Sequence, residues 1–120
     1  MARFAVLFEH FIQAIKAERF AAADRGWKLL NAHLTPEQRV QFERHRHFEV
    51  VGGESGRRYR IRHGHVMNID EYNHDGRRVA KLCFAPAGRL VMGDVLLAQK
   101  LALEAFESST LAVANRYPQP

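Results

Sequence analysis

A chain of 120 residues with 47% hydrophobic and 26% charged residues has the size of one domain and an ordinary globular balance, which argues against intrinsic disorder and a membrane protein. Its one cysteine, Cys83, excludes an intrachain disulfide and a multi-cysteine zinc site and fits a reducing cytoplasm. The net charge of +5 is local: residues 57–92 carry eight Lys/Arg against three Asp/Glu, which accounts for the whole excess.

The N-terminal stretch is too soon interrupted by Glu9, His10, Gln13 and Lys16 to be a signal peptide, and no run reaches the roughly 18 apolar residues of a membrane span. Phe4, Phe8, Phe11, Ile12 and Ile15 instead fall at helical spacing and line one face of a helix that starts near Arg3 and occupies residues 1–24. A small-residue run before Gly26 breaks the phase, which predicts a kink or break there before Trp27, Leu30 and Leu34 resume it. Thr35-Pro36-Glu37-Gln38 is a capping-box start for a helix to about Arg46, with Val40 and Phe42 as its apolar contacts.

From Phe48 the period changes to two. The glycine-rich segment 52–56 separates the strands Phe48–Val51 and Arg57–Arg62. In the second strand Tyr59 and Ile61 face one way and Arg58, Arg60 and Arg62 the other. Asp75-Gly76 signals a two-residue type I′ hairpin turn. That register pairs Met67 with Phe84, Ile69 with Leu82 and Glu71 with Ala80 on a core face, and Asn68 with Cys83, Asp70 with Lys81 and Tyr72 with Val79 on the other. Asp94 is the expected cap of a helix over about 94–107 containing Leu96, Leu97, Leu101, Ala102 and Phe106. Ser108 or Ser109 starts a short helix to about Asn115, and 117–120 is a tail. The expected fold is one α+β domain over residues 1–120, with N-terminal helices, a four-stranded β-meander over about 48–84, and a C-terminal amphipathic helix followed by the short one.

Three constellations carry chemistry. The face of Arg58, Arg60 and Arg62, with Arg57, Arg78 and Lys81 nearby, suits phosphates, and Tyr72 offers a ring for an unpaired base. The bland alternative is a solvated face balanced by Glu49, Asp70 and Glu71, or one that meets an acidic protein. Five histidines lie between residues 45 and 74, and both His45-Arg46-His47 and His63-Gly64-His65 have ligand spacing. A metal or thiol site would draw on His63, His65, His74 and Cys83, against a reading of solvated turn histidines and a small buried cysteine. The Phe4, Phe8, Phe11, Ile12, Ile15 face exceeds what a small domain can cover and suits an oligomer or a docking partner. No catalytic pair of carboxylates and no nucleotide-binding glycine motif is present, so the chain reads as non-enzymatic and without a cofactor.

The stretch Gly56-Arg57-Arg58-Tyr59-Arg60-Ile61-Arg62-His63-Gly64, with Asn68, Leu82-Cys83, Pro86, Gly93-Asp94 and Leu97-Ala98-Gln99-Lys100, resembles a group of small uncharacterised bacterial proteins over about residues 28–116. The resemblance implies a bacterial cytoplasmic protein and no particular chemistry. A looser likeness to the strand portion of SWIM-type zinc modules fails at the absent paired cysteines. The sequence therefore favours a binding module for an anionic partner, nucleic acid first, with a protein-interaction subunit and a His/Cys metal-dependent enzyme as alternatives.

Overall fold

The break expected at Gly26 does not occur. In the computed structural model, which describes residues 2–119, α1 is one helix of 32 residues, Ala2–His33, roughly 48 Å long at 1.5 Å per residue. Gly26 serves packing: it is buried, and a Cβ there would stand 2.5 Å from Val91 Cγ2. A Cβ on Gly93 would overlap the Gly26 carbonyl and stand 2.7 Å from Trp27 N. The two glycines let α1 cross α3 (Met92–Ala105) almost backbone to backbone.

α2 (Pro36–His45) starts on the expected capping box, in which Thr35 Oγ1 accepts from Gln38 N at 3.2 Å and Gln38 Oε1 from Thr35 N at 3.0 Å. It ends at Arg46, in the left-handed region with φ 57°. Phe42 is buried, whereas Val40, expected beside it, is exposed. α2 also shields a sheet edge: Gln38 Nε2 donates to the Glu49 carbonyl and the Glu49 N–H donates to Gln41 Oε1, both at 2.8 Å.

The sheet has five antiparallel strands rather than four, in sequence order: β1 (His47–Val51), β2 (Arg58–Arg62), β3 (Ile69–Tyr72), β4 (Arg78–Cys83) and β5 (Asn115–Pro118). β5 takes the residues expected to end the short helix and begin the tail, and adds to β4, with Lys81 opposite Tyr117 and Cys83 opposite Asn115. The register Ile69–Leu82, Asp70–Lys81, Glu71–Ala80 is the expected one, but the turn that sets it is not type I′. Only Gly76 has positive φ there, the Asn73 N–H donates to the Arg77 carbonyl at 2.9 Å, and Asn73 Oδ1 accepts from the N–H groups of Asp75 and Arg77. The loop has three residues, His74 to Gly76, so Tyr72 opposes Arg78 instead of Val79, and a bulge between Glu71 and Tyr72 restores the register.

Upstream, Met67 adopts φ 49° and is outside the strand, so neither Met67–Phe84 nor Asn68–Cys83 pairs. Asn68 turns inward and exchanges two hydrogen bonds, 2.8 and 3.1 Å, with Gln99 of α3. The core lies between one sheet face and the helices: Leu30, Leu34, Phe42, Phe48, Val50, Tyr59, Ile61, Ile69, Leu82, Leu96, Leu97 and Leu103, with Trp27 and Phe84 against its rim. Leu101 and Phe106, expected on the buried face of α3, are exposed. Val91 caps α3 without a side-chain bond while Asp94 sits in its first turn, and α4 (Glu107–Val113) begins after Phe106, so the expected caps Asp94, Ser108 and Ser109 do not serve.

Candidate functional site

Among the described residues no helix covers the second face of the sheet, where strand alternation places Glu49 on β1, Arg58, Arg60 and Arg62 on β2, Asp70 and Tyr72 on β3 and Lys81 on β4. Arg78 reaches the same group. Two carboxylates organise the cations. Glu49 pairs with Arg60 at 3.2 Å and Arg58 at 3.5 Å; Asp70, 4% exposed, pairs with Arg62 at 3.2 Å and Arg78 at 4.0 Å. Among the described residues Lys81 makes no ion pair. Five cations against two carboxylates leave an excess of three positive charges on an open face.

The members differ in how free they are. Arg62 is held by Asp70 and by the Met67 carbonyl at 2.8 Å, so it is as much a structural clamp as a surface cation. Arg58 and Arg60 lie 5.8 and 5.4 Å from the centroid of the Tyr72 ring, which engages the ring that sequence reasoning offered to a base. Arg57 is not part of the strip. It lies on the core side of the sheet, where its Nη1 and the Nη2 of Arg116 meet the fully buried Glu71 at 3.3 and 2.9 Å. A shallow depression of about 440 Å³ lies beside the face, lined by Tyr72, Arg77, Arg78 and Gln119.

The metal candidates are not brought together. His63 stacks on Trp27 with centroids 5.5 Å apart, His65 and His74 are exposed in separate loops, and Cys83 is partly exposed on the outer sheet face. Among the described residues no three His, Cys, Asp or Glu side chains are grouped to hold a metal ion. His45 and His47 stack on each other, at 5.3 Å. Burial, the Arg60 charge and His45 together hold the His47 imidazole below its ordinary pKa.

The strongest polar constellation went unnoticed in the sequence. Glu107, 2% exposed at the start of α4, accepts from the N–H groups of Glu54 and Ser55 at 3.0 and 2.7 Å, from Ser55 Oγ at 2.5 Å and from Tyr59 Oη at 2.6 Å. Burial works to raise its pKa, but the bonds from Ser55, Tyr59 and the backbone outweigh it and hold the carboxyl at about 2. Burial and the Glu107 bond together push the Tyr59 phenol far above its ordinary range. Gly52 makes the cradle, because a Cβ there would overlap the carboxylate. With Tyr59 fully buried and Glu107 nearly so, no substrate reaches this pair, and its role is to lock the β1–β2 loop onto the α3–α4 junction. Glu54 returns the contact by accepting from Ser108 Oγ at 3.0 Å.

No protein-family model, curated protein or solved structure matches the chain. No described helix is long and apolar enough to cross a membrane.

Proposed function

We propose that the protein is a non-enzymatic binding module whose open sheet face takes a polyanion, a single nucleic-acid strand first. The observation that supports this reading is the excess of cations on the uncovered face, fixed in direction by Glu49, Asp70 and Tyr72. Arg58, Arg60 and Arg62 recur every second residue, roughly 6.6 Å apart along β2, a spacing comparable to that of successive phosphates on an extended strand. Splinting the guanidiniums in advance lowers the ordering cost of binding. Tyr72 acts in this reading by holding Arg58 and Arg60 rather than by stacking a base.

Salt dependence tests it. By fluorescence anisotropy with a labelled single-stranded oligonucleotide, log affinity falls with log salt by about 0.7 per phosphate contact. Replacing Arg58, Arg78 and Lys81 by Gln reduces that slope by roughly two units. Arg62 is left intact, because its loss would strand buried Asp70 and release the Met67 carbonyl. No binding at low salt, or an unchanged slope, rejects the reading; binding of an acidic peptide in its place moves the same face to a protein partner.

A second reading has its own observation. Residues 3–20 of α1 include no buried residue, and Phe4, Leu7, Phe8 and Phe11 are each more than half exposed, Phe4 by 75%. With extents of 66 × 29 × 24 Å, the molecule is a small head with a projecting apolar helix, the form of a subunit that docks through α1.

A further inference from the structure

The apolar stripe of the projecting helix is interrupted at Glu18 and Arg19 and resumes where α1 reaches the head. At 100° per residue, the face of Phe4, Phe8, Phe11 and Ile15 continues through Ala22, Gly26 and Leu29. Those three residues line a cleft of about 340 Å³ together with Leu90 and Val91 and the charged Arg25, Arg89 and Asp94. One helix face thus carries large aromatic side chains at its tip and small residues beside a partly apolar cleft at its root.

We propose that a second copy of this chain covers both ends. The two α1 helices pair antiparallel across a two-fold axis at Ile15, so that Phe4 of each copy enters the mouth of the other's cleft beside the exposed Leu29 and Leu90, and Phe8 lies on Ala22. The proposal rests on the second reading above, that α1 is a docking helix, and names its partner and register.

Four observations favour it. Tip-to-root pairing is self-complementary, one contact made twice, as a closed dimer requires. It sets Phe8 against a small residue, Ala22, and the cleft has room for the ring of Phe4. Parallel pairing would stack Phe4 on Phe4 and leave both clefts open. The area is also sufficient: each aromatic side chain brings about 150–250 Å² to burial, so three phenylalanines with Leu7, Ile12 and Ile15 approach the roughly 800 Å² per partner of a stable interface. A membrane surface is a poorer occupant, because Glu9 and Glu18 are interspersed with Arg3, Lys16 and Arg19 over the projecting residues 3–20, two acids against three bases.

Light scattering and spin-label distances on the full chain test it. The expected mass is twice the 13.8 kDa of one chain. In a Cys83→Ser background, labels at Ile15→Cys lie close together, whereas labels at Phe4→Cys lie about 33 Å apart along the axis, 22 residues of helix. Phe4→Ser with Phe8→Ser weakens self-association at least tenfold and leaves the amide spectrum of the head unchanged, since residues 3–20 include no buried residue. Short distances at both positions mean parallel pairing and overturn the proposal. A monomer at every concentration also overturns it. If a photo-crosslinker at Phe11 then joins that monomer to a different protein in the native host, the docking reading survives without the second copy; if the monomer binds phosphatidylcholine–phosphatidylglycerol vesicles, or binds nothing, both fail.

Discussion

Protonating one buried carboxylate should loosen the whole head. Glu107 ties the β1–β2 loop and Tyr59 to the start of α4 through four hydrogen bonds. Its folded pKa of about 2 lies below the value of 4.5 it has when free, so its stabilisation is complete above pH 4.5 and disappears as the pH falls toward 2. The full linkage is about 3 kcal/mol, of which about 2 kcal/mol is lost between pH 7 and pH 3. Urea unfolding at these two pH values, on the wild type and on Glu107→Gln, isolates the effect, because every other carboxylate titrates in both proteins. At pH 7 the variant is expected to be about 1–3 kcal/mol less stable, since charge-assisted bonds become neutral ones. Between pH 7 and pH 3 the wild type should lose about 2 kcal/mol more than the variant. Equal losses in the two proteins would refute the reasoning and leave Glu107 a packed side chain with no electrostatic hold on the loop.

The helix crossing gives a test whose sign opposes intrinsic propensity. Alanine in place of glycine within a helix ordinarily stabilises by up to about 1 kcal/mol, yet Gly93→Ala, in the first turn of α3, should destabilise by about 1–3 kcal/mol, because its Cβ meets the backbone of α1 and the helices must separate; thermal unfolding reads the sign directly. Arg116→Ala should cost about 1–3 kcal/mol by removing one of the two cations on fully buried Glu71. Hydrogen exchange should then show β5 opening before β4, because the same side chain pins the last strand to the sheet.

Where local chemistry decides structure, the residues announce it. Thr35-Pro36-Glu37-Gln38 caps α2 because both reciprocal bonds form within four residues. The inward positions Tyr59, Ile61, Ile69 and Leu82 follow from alternation alone. Where the decision is made by a distant segment, the sequence misleads. Gly26 looks like a breaker until Gly93, 67 positions later, is placed against it. The segment 115–118 lacks a strand pattern and becomes β5 because β4 offers an unpaired edge and Glu71 a buried charge for Arg116. The hairpin is instructive in a different way: Asp75-Gly76 gave the right register for the wrong reason, a three-residue loop and a bulge offsetting each other by one residue.

The candidate surfaces divide along the same line. Arg58, Arg60 and Arg62 share a face because a strand has period two, and the exposed stripe of α1 follows from period 3.6, so both were legible from spacing. Charge pairing was not: Arg58 and Arg62 share one strand face in the sequence, yet one pairs with the partly exposed Glu49 and the other holds buried Asp70 and the Met67 carbonyl. Glu107 gave no local signal at all, since its four donors lie 48 to 53 residues upstream. The same distinction ranks the cations as ligands for a partner. Arg58 and Lys81 project from the open face without a buried group depending on them, whereas Arg62 and Arg116 hold buried carboxylates. Replacing the first pair should therefore change affinity with little change in stability, and replacing the second pair should change stability first.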